Sequence, residues 1–199
     1  GTGEKNHLVQ YVSEYLADHQ KQKHILAYDA LTSYHDQGII TSMDSRTRAY
    51  IKIQEGCNRF CSYCLIPFAR GQVRSRDPQE IVLAAETLLA HGFRELVLTG
   101  INTALYGTEE AFAYPLTAAE QAAGMHGIEI IISRLNALDG DFRIRLSSLE
   151  PTVVNADYVK RLLQYEKLCP HLHLSIQSGS DAVLQAMHRH YSRADYLDI

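Results

Sequence analysis

The chain has 199 residues, 46% hydrophobic and 21% charged, with a net charge of −4 at neutral pH. That is the profile of a globular domain with a core of its own. No apolar run is long enough to span a bilayer, and no overall field draws in nucleic acid, so any such contact must come from a local basic patch. The first residues, GTGEKNH, lack the layout of a signal peptide; the expected setting is therefore cytoplasmic and reducing, where clustered cysteines read as metal ligands or catalysts rather than disulfides.

Leu8, Val9, Val12, Tyr15 and Leu16 recur at helical spacing and predict an amphipathic helix over 5–18. Residues 19–46 are polar and weakly periodic and read as a linker, with one short strand near Gly38–Thr41. RAYIKI, from Arg48, alternates and predicts a strand running into a cysteine loop. Asp77-Pro78-Gln79-Glu80 is a helix start, with Asp77 as cap, Pro78 in the first turn and Glu80 closing a capping box. The stripe Ile81, Val82, Ala85, Leu88, Leu89 follows, and Gly92 ends that helix. ELVLTG (Glu95–Gly100) is the next strand. The connection over 101–127 is long for a compact domain and suggests a lid or an insertion. Further on, Ile128 to Leu138 is predicted helical, FRIRLSSLEP a strand, Val153 to Leu168 a helix, HLHLSIQSG a fourth strand and Asp181 to Arg189 a short helix. Ser192 and Asp195 form a capping-box pattern close to Ile199. The chain reads as a piece of a longer protein.

Four strand–helix repeats call for an α/β fold with parallel strands. The strands alternate: Leu172, Leu174 and Ile176 oppose His171, His173, Ser175 and Gln177, and Ile144 and Leu146 oppose Arg143, Arg145 and Ser147. Doubly wound strands are apolar on both faces. A polar face fits a barrel lumen that holds a ligand, so a (βα) barrel is expected, incomplete because a full one takes about 250 residues.

Three of the four cysteines, Cys57, Cys61 and Cys64, stand in a C-x3-C-x2-C pattern just after the first strand, at the edge where parallel α/β folds bind ligands. Structural zinc needs a fourth ligand. The remaining cysteine, Cys169, starts a strand at the opposite edge, with His171 and His173 beside it. Spacing alone leaves two readings open: a three-cysteine zinc with a bound water, or a [4Fe–4S] cluster with one open iron.

The pattern, with Tyr63 before the last cysteine, resembles the signature of the radical S-adenosylmethionine (SAM) superfamily. Together YIKIQEGCNRFCSYCLIPFARGQVRSRDPQEI, ELVLTGIN, RIRLSSLEP and CPHLHLSIQSGSD resemble its methylthiotransferases. The RSRDP, LTGI and LSSLEP segments are most similar to the enzymes that methylthiolate N6-threonylcarbamoyladenosine (t6A) in tRNA. The resemblance implies a partial barrel of the radical SAM type over 47–199. GTGEKNHLVQYV resembles the tail of that family's N-terminal domain, which makes 1–18 that tail and 19–46 a linker. It implies that Cys57, Cys61 and Cys64 hold three irons and that SAM chelates the fourth. One-electron reduction of SAM then yields a 5′-deoxyadenosyl radical that abstracts hydrogen from the substrate base. A second [4Fe–4S] cluster, held in an N-terminal domain outside this sequence, supplies the sulfur, and a second SAM the methyl group. The implied partners are tRNA and an electron-donor protein. The alternatives are another tRNA adenosine, a ribosomal protein, or a zinc-stabilised RNA-binding module without redox chemistry.

Within that frame Tyr63 is expected against the SAM adenine. Thr99, Gly100 and Ile101 are expected near the SAM amino group, and Glu150 at a SAM ribose or amine or capping the helix after Pro151. Ser148 and Gln177 end polar strand faces and are expected at the ligand. Arg70, Arg74 and Arg76 form a basic run that would grip tRNA phosphates or the SAM carboxylate, or else pair with Asp77 and Glu80.

Overall fold

Residues 2–32, 34, 38, 47–110 and 112–199 are described by a computed structural model of the chain. A 3-10 turn, Thr2–His7, leads into helix α1, Leu8–Asp18, as the periodicity predicts. Its apolar stripe stays exposed, from Tyr15 at 45% to Val9 at 79%. The short strand expected near Gly38–Thr41 lies, apart from Gly38, outside the described residues.

Strand β1 (Arg48–Lys52) continues into β2 (Gln54–Glu55), which pairs antiparallel with β3 (Arg74–Ser75). The cysteine loop and a short helix, α2 (Ile66–Arg70), fill the space between. Helix α3 (Pro78–Ala90) leads to β4 (Glu95–Thr99). Helices α4 (Ala118–Ala122) and α5 (Ile128–Asn136) lead to β5 (Arg143–Leu146) and its continuation β6 (Ser148–Leu149). Helix α6 (Ala156–Leu162) leads to β7 (His173–Leu174), followed by α7 (Asp181–Ala186) and α8 (Arg193–Leu197).

The pairing order decides the architecture. Strand β1 pairs with β4, β4 with β5, and β6 with β7, all parallel. Each new strand joins the edge left by its predecessor. A doubly wound sheet reverses direction at a switch point, whereas a barrel wall does not. The strands therefore form a partial (βα) barrel wall, as the alternation predicted.

The outer face of the wall is the core. Ala49, Ile51, Leu96, Leu98, Ile144 and Leu146 pack under Ile81, Ala84, Ala85 and Leu88 of α3 and Ile128, Ile131, Ile132 and Leu135 of α5. Burying each large aliphatic chain contributes about 1.5–3 kcal/mol. Val82 and Leu89, expected in the α3 stripe, are only partly buried beside it. Asp77 caps α3 by accepting from the Gln79 N–H at 2.7 Å. Glu80 does not close the box; its carboxylate lies 3.4 Å from Arg76 Nε instead.

At the opposite edge from the cysteine loop, the buried Glu95 carboxylate meets Arg48, Arg143 and Arg145 at 2.7, 2.6 and 2.8 Å. Burial alone would push that carboxyl up. Hydrogen bonds from Arg145 and Arg143 and the Arg48 charge outweigh it and hold the pKa at about 2. The polar strand positions Arg143 and Arg145 thus serve an ion cluster at the strand starts rather than a ligand.

Two expected elements are shorter than predicted. The helix expected over 153–168 is confined to Ala156–Leu162, because Asn155 takes extended backbone and caps Tyr158 N–H at 2.8 Å. The chain then returns to the sheet edge, where Cys169 N–H donates to Ile144 O at 2.8 Å. The fourth strand holds its pairing only at His173–Leu174. Gln177 adopts φ 59°, which ends extended backbone, and Ile176 is 43% exposed. The 101–127 connection is fastened to the barrel. Tyr106 is fully buried and donates to Arg76 O at 2.7 Å, Glu109 accepts from Ser75, and Glu120 pairs with Arg134 at 2.7 Å. Among the described residues no helix is long and apolar enough to cross a membrane.

Candidate active site

The cysteine loop is built on a narrow stem. Gly56 sits at φ +73°, and a Cβ there would fall 1.7 Å from Gln72 O. Directly after it, Cys57 N–H donates to Gly71 O at 3.1 Å. Only glycine lets the two arms of the loop cross this closely. The far side of the loop is docked onto the C-terminal end of α7: Ser62 Oγ donates to Ala186 O at 2.8 Å and Ser62 N–H to Met187 O at 3.2 Å.

Cys57, Cys61 and Cys64 line one cavity of about 170 Å³. Among the described residues no three His, Cys, Asp or Glu side chains are gathered tightly enough to hold a single metal ion. Each thiol has its own surroundings. Arg189 Nη1 donates to Cys61 Sγ at 3.2 Å, and Ile66 N–H points to Cys64 Sγ at 3.4 Å. Burial pushes the Cys57 thiol up, with the Arg59 N–H pulling the other way, so loading a metal there must displace a proton. Cys169 lies away from this cavity, hydrogen-bonded into the edge of β5.

The facing wall is polar. Glu150 is 3% exposed; its Oε2 accepts from Arg59 Nε at 2.6 Å and from Asn102 Nδ2 at 3.1 Å. Its Oε1 stands 3.7 Å from Arg189 Nη2 without a hydrogen bond. Asn102 Oδ1 and Arg189 Nε are likewise buried without a partner. Two orphaned acceptors and one orphaned donor therefore belong to residues that line the same cavity; among the described residues the one other buried side-chain polar atom without a hydrogen bond is Tyr158 Oη. Burial works against the Arg189 charge, but Tyr191 and Cys61 outweigh it and push its pKa further up, so the guanidinium stays charged. Its plane lies 5.2 Å from the Tyr191 ring centre. Tyr63 reaches across the cavity mouth to donate to Gln177 Oε1 at 3.1 Å.

Of the residues singled out from the sequence, the three cysteines, Tyr63, Ile101, Ser148, Glu150 and Gln177 line this cavity. Thr99 and Gly100 do not. Thr99 O accepts from Ile53 N–H within the sheet, and Gly100 leaves room for Gln54, whose Oε1 would lie 2.9 Å from a Cβ there. Glu150 caps no helix; the turn Pro151–Val153 has no side-chain cap. The basic run is a correction. Arg74 and Arg76 are 5% and 7% exposed. Arg74 Nη1 donates to the carbonyls of Leu31, Arg70 and Gln72, and Arg70 pairs with Glu55 at 2.9 Å. Guanidinium groups spent on internal acceptors do not grip phosphates, and of the pairing expected instead only Arg76 with Glu80 forms. His173 Nδ1 stands 3.4 Å from Ser148 Oγ.

Sequence reasoning missed Arg59, Asn102 and Arg189 in the lining; Ser175, placed on the polar strand face, joins them there. Arg59 sat inside the motif as a charge with no evident partner. Arg189 gave no local signal, since its contacts with Cys61 and Glu150 span 128 and 39 positions of chain.

The Radical SAM superfamily matches residues 51–199. The chain is 34% identical over its full length to threonylcarbamoyladenosine tRNA methylthiotransferase MtaB of Bacillus subtilis and spans 41% of that protein. It is 32% identical to the MtaB of Aquifex aeolicus, spanning 45% of it. Against tRNA-2-methylthio-N(6)-dimethylallyladenosine synthase of Caldicellulosiruptor saccharolyticus the identity is 35% over 81% of this chain and 32% of the relative. The chain thus spans less than half the length of each of these relatives. Among solved structures, the cobalamin-dependent S-adenosylmethionine radical enzyme OxsB shares the fold with TM-score 0.53 and 13% identity, over 77% of this chain and 22% of OxsB. The radical S-adenosylmethionine methyltransferase TsrM of Kitasatospora setae does so with TM-score 0.50 and 18% identity, over 75% of this chain and 27% of TsrM. With three quarters of its length matched by one family and its barrel wall shared with solved enzymes of the same kind, the chain belongs to the Radical SAM superfamily.

Proposed function

We propose that the chain is the core of a radical SAM tRNA methylthiotransferase acting on t6A. In this reading Cys57, Cys61 and Cys64 hold a [4Fe–4S] cluster at the barrel mouth. The donor set fits: three thiols line one cavity, the thiolate count that would leave one iron of a [4Fe–4S] cluster open. Such a cluster supplies one electron to the sulfonium of SAM and an open iron for its amino and carboxylate groups.

The observation that carries the proposal is the set of orphaned atoms. Glu150 Oε1 and Asn102 Oδ1 accept, and Arg189 Nε donates. The methionine end of SAM would offer amine N–H groups to the first two and a carboxylate oxygen to the third. Tyr63 and Gln177 would then border the adenosine, with Ser148 and Ile101 on the wall between. Arg59 Nε holds Glu150 Oε2 in place at 2.6 Å, and Arg189 Nη1 ties Cys61 Sγ to the same wall at 3.2 Å.

The substrate rests on the relatives' names. MtaB is named for t6A, and the synthase of C. saccharolyticus for dimethylallyladenosine. The longer match, over all 199 residues, favours t6A. The proposal includes a second [4Fe–4S] cluster and a tRNA-binding region in the parts of the longer protein outside this sequence, with 1–18 the tail of an N-terminal domain, 19–46 a linker and 47–199 the radical SAM core. An electron-donor protein completes it.

The test is anaerobic turnover by the full-length protein with tRNA carrying t6A, tRNA carrying N6-dimethylallyladenosine, and ribosomal protein, read by nucleoside and peptide mass spectrometry. A methylthio group on t6A alone is the expected outcome. Modification of dimethylallyladenosine or of protein, with t6A untouched, would overturn the substrate.

A further inference from the structure

Gln54 is fully buried where β1, β2 and the exit of β4 meet. Its Nε2 donates to Glu55 O and Gly56 O, both at 2.7 Å. Its Oε1 accepts from Ile101 N–H and Asn102 N–H, both at 3.0 Å. Both donors and both lone pairs of the carboxamide are thus in use. One pair of partners immediately precedes Cys57; the other lines the cavity opposite the thiols. The ladder between β1 and β4 runs on as far as Ile53 N–H to Thr99 O at 2.8 Å. From there the Gln54 side chain carries the connection two residues further, standing in for backbone. Gly100 makes the room, because a Cβ there would lie 2.9 Å from Gln54 Oε1 and 3.1 Å from its Cβ.

We propose that Gln54 is a positioning residue that locks the root of the cysteine loop to the Ile101–Asn102 turn, and so sets the thiols in register with the polar wall that receives the ligand. The geometry has a direct consequence for Glu150, since Asn102 Nδ2 donates to its Oε2 at 3.1 Å. A turn released from Gln54 releases one of the groups that aims that carboxylate. The inference rests on the site reading above.

Two variants keep the shape and break the lock, Met at both ends and Glu at the end on the cysteine loop. Gln54→Met is about as long and makes none of the four hydrogen bonds. Gln54→Glu keeps an acceptor for the two N–H groups but turns an anionic oxygen toward two carbonyls. Ile131→Val, a fully buried core change in α5 outside the cavity, serves as the control for general loss of stability. The first readout needs no cluster: amide hydrogen exchange at Ile101 and Asn102 in the unloaded chain. The second is the SAM titration of the EPR signal of the reduced, reconstituted chain. Gln54→Met is expected to raise exchange at these two amides, Gln54→Glu to leave them protected, and both to shift the SAM titration by about tenfold, with Ile131→Val moving neither. Unchanged exchange in Gln54→Met, or equal shifts in Ile131→Val, would overturn the proposal. Should the unsubstituted chain take up no cluster, the site reading fails, and the exchange data alone still decide whether Gln54 is the lock.

Discussion

Glu150→Gln is expected to weaken SAM binding by about a hundredfold, close to 2.7 kcal/mol, while the chain stays folded. The carboxylate is buried between Arg59 and Arg189, with one oxygen committed and the other without a hydrogen bond. A neutral amide of the same shape retains an oxygen for Arg59 and Asn102. What it loses is the negative charge beside the cavity, the feature that the amine of SAM would meet. It also leaves Arg59 and Arg189, 24% and 9% exposed, short of a counterion, which lowers stability by about 1–3 kcal/mol. Thermal unfolding and SAM titration separate the two effects. Reduced stability with unchanged SAM affinity would mean that Glu150 is an internal brace and that the orphaned oxygen receives no ligand.

The second large effect is expected at Gly56. In Gly56→Ala the new Cβ would need the space of Gln72 O, 1.7 Å away, at a φ of +73° that L side chains rarely adopt. The obstacle is backbone, not a flexible side chain, so the stem must open. A cost of about 3–4 kcal/mol follows from overpacking together with left-handed strain. The Cys57 N–H to Gly71 O bond is lost with it. The expected result is a lowered melting temperature and failure of iron and sulfide uptake. Gly92→Ala is the useful contrast: φ is +88° there too, but a Cβ would meet nothing within 4 Å, so only the strain is added. Equal behaviour of the two variants would contradict the close crossing of the loop arms.

The cysteine motif, the order of strands and helices, and the barrel were legible in the sequence because each depends on local pattern. C-x3-C-x2-C needs one loop, and alternation in β1 and β5 needs one buried face. What could not be read depends on where side chains end. Arg70, Arg74 and Arg76 looked like a basic patch because three charges adjoin in sequence, yet they turn to Glu55, to three carbonyls and to Glu80. Arg143 and Arg145 looked like lumen residues but serve Glu95. Polar alternation over 171–177 looked like a full strand, and the left-handed turn at Gln177 cuts it short. Arg189 joins the site only because the fourth repeat folds back over the first.

The most direct test of the site is anaerobic reconstitution of the chain with iron and sulfide in the presence of competing zinc, with metal analysis and EPR after reduction. The expected result is about four irons per chain, a reduced-cluster EPR signal that changes when SAM is added, and loss of both in Cys57→Ala, Cys61→Ala and Cys64→Ala. Stoichiometric zinc without a cluster, or iron uptake unaffected by those substitutions, would contradict a radical SAM site in this loop.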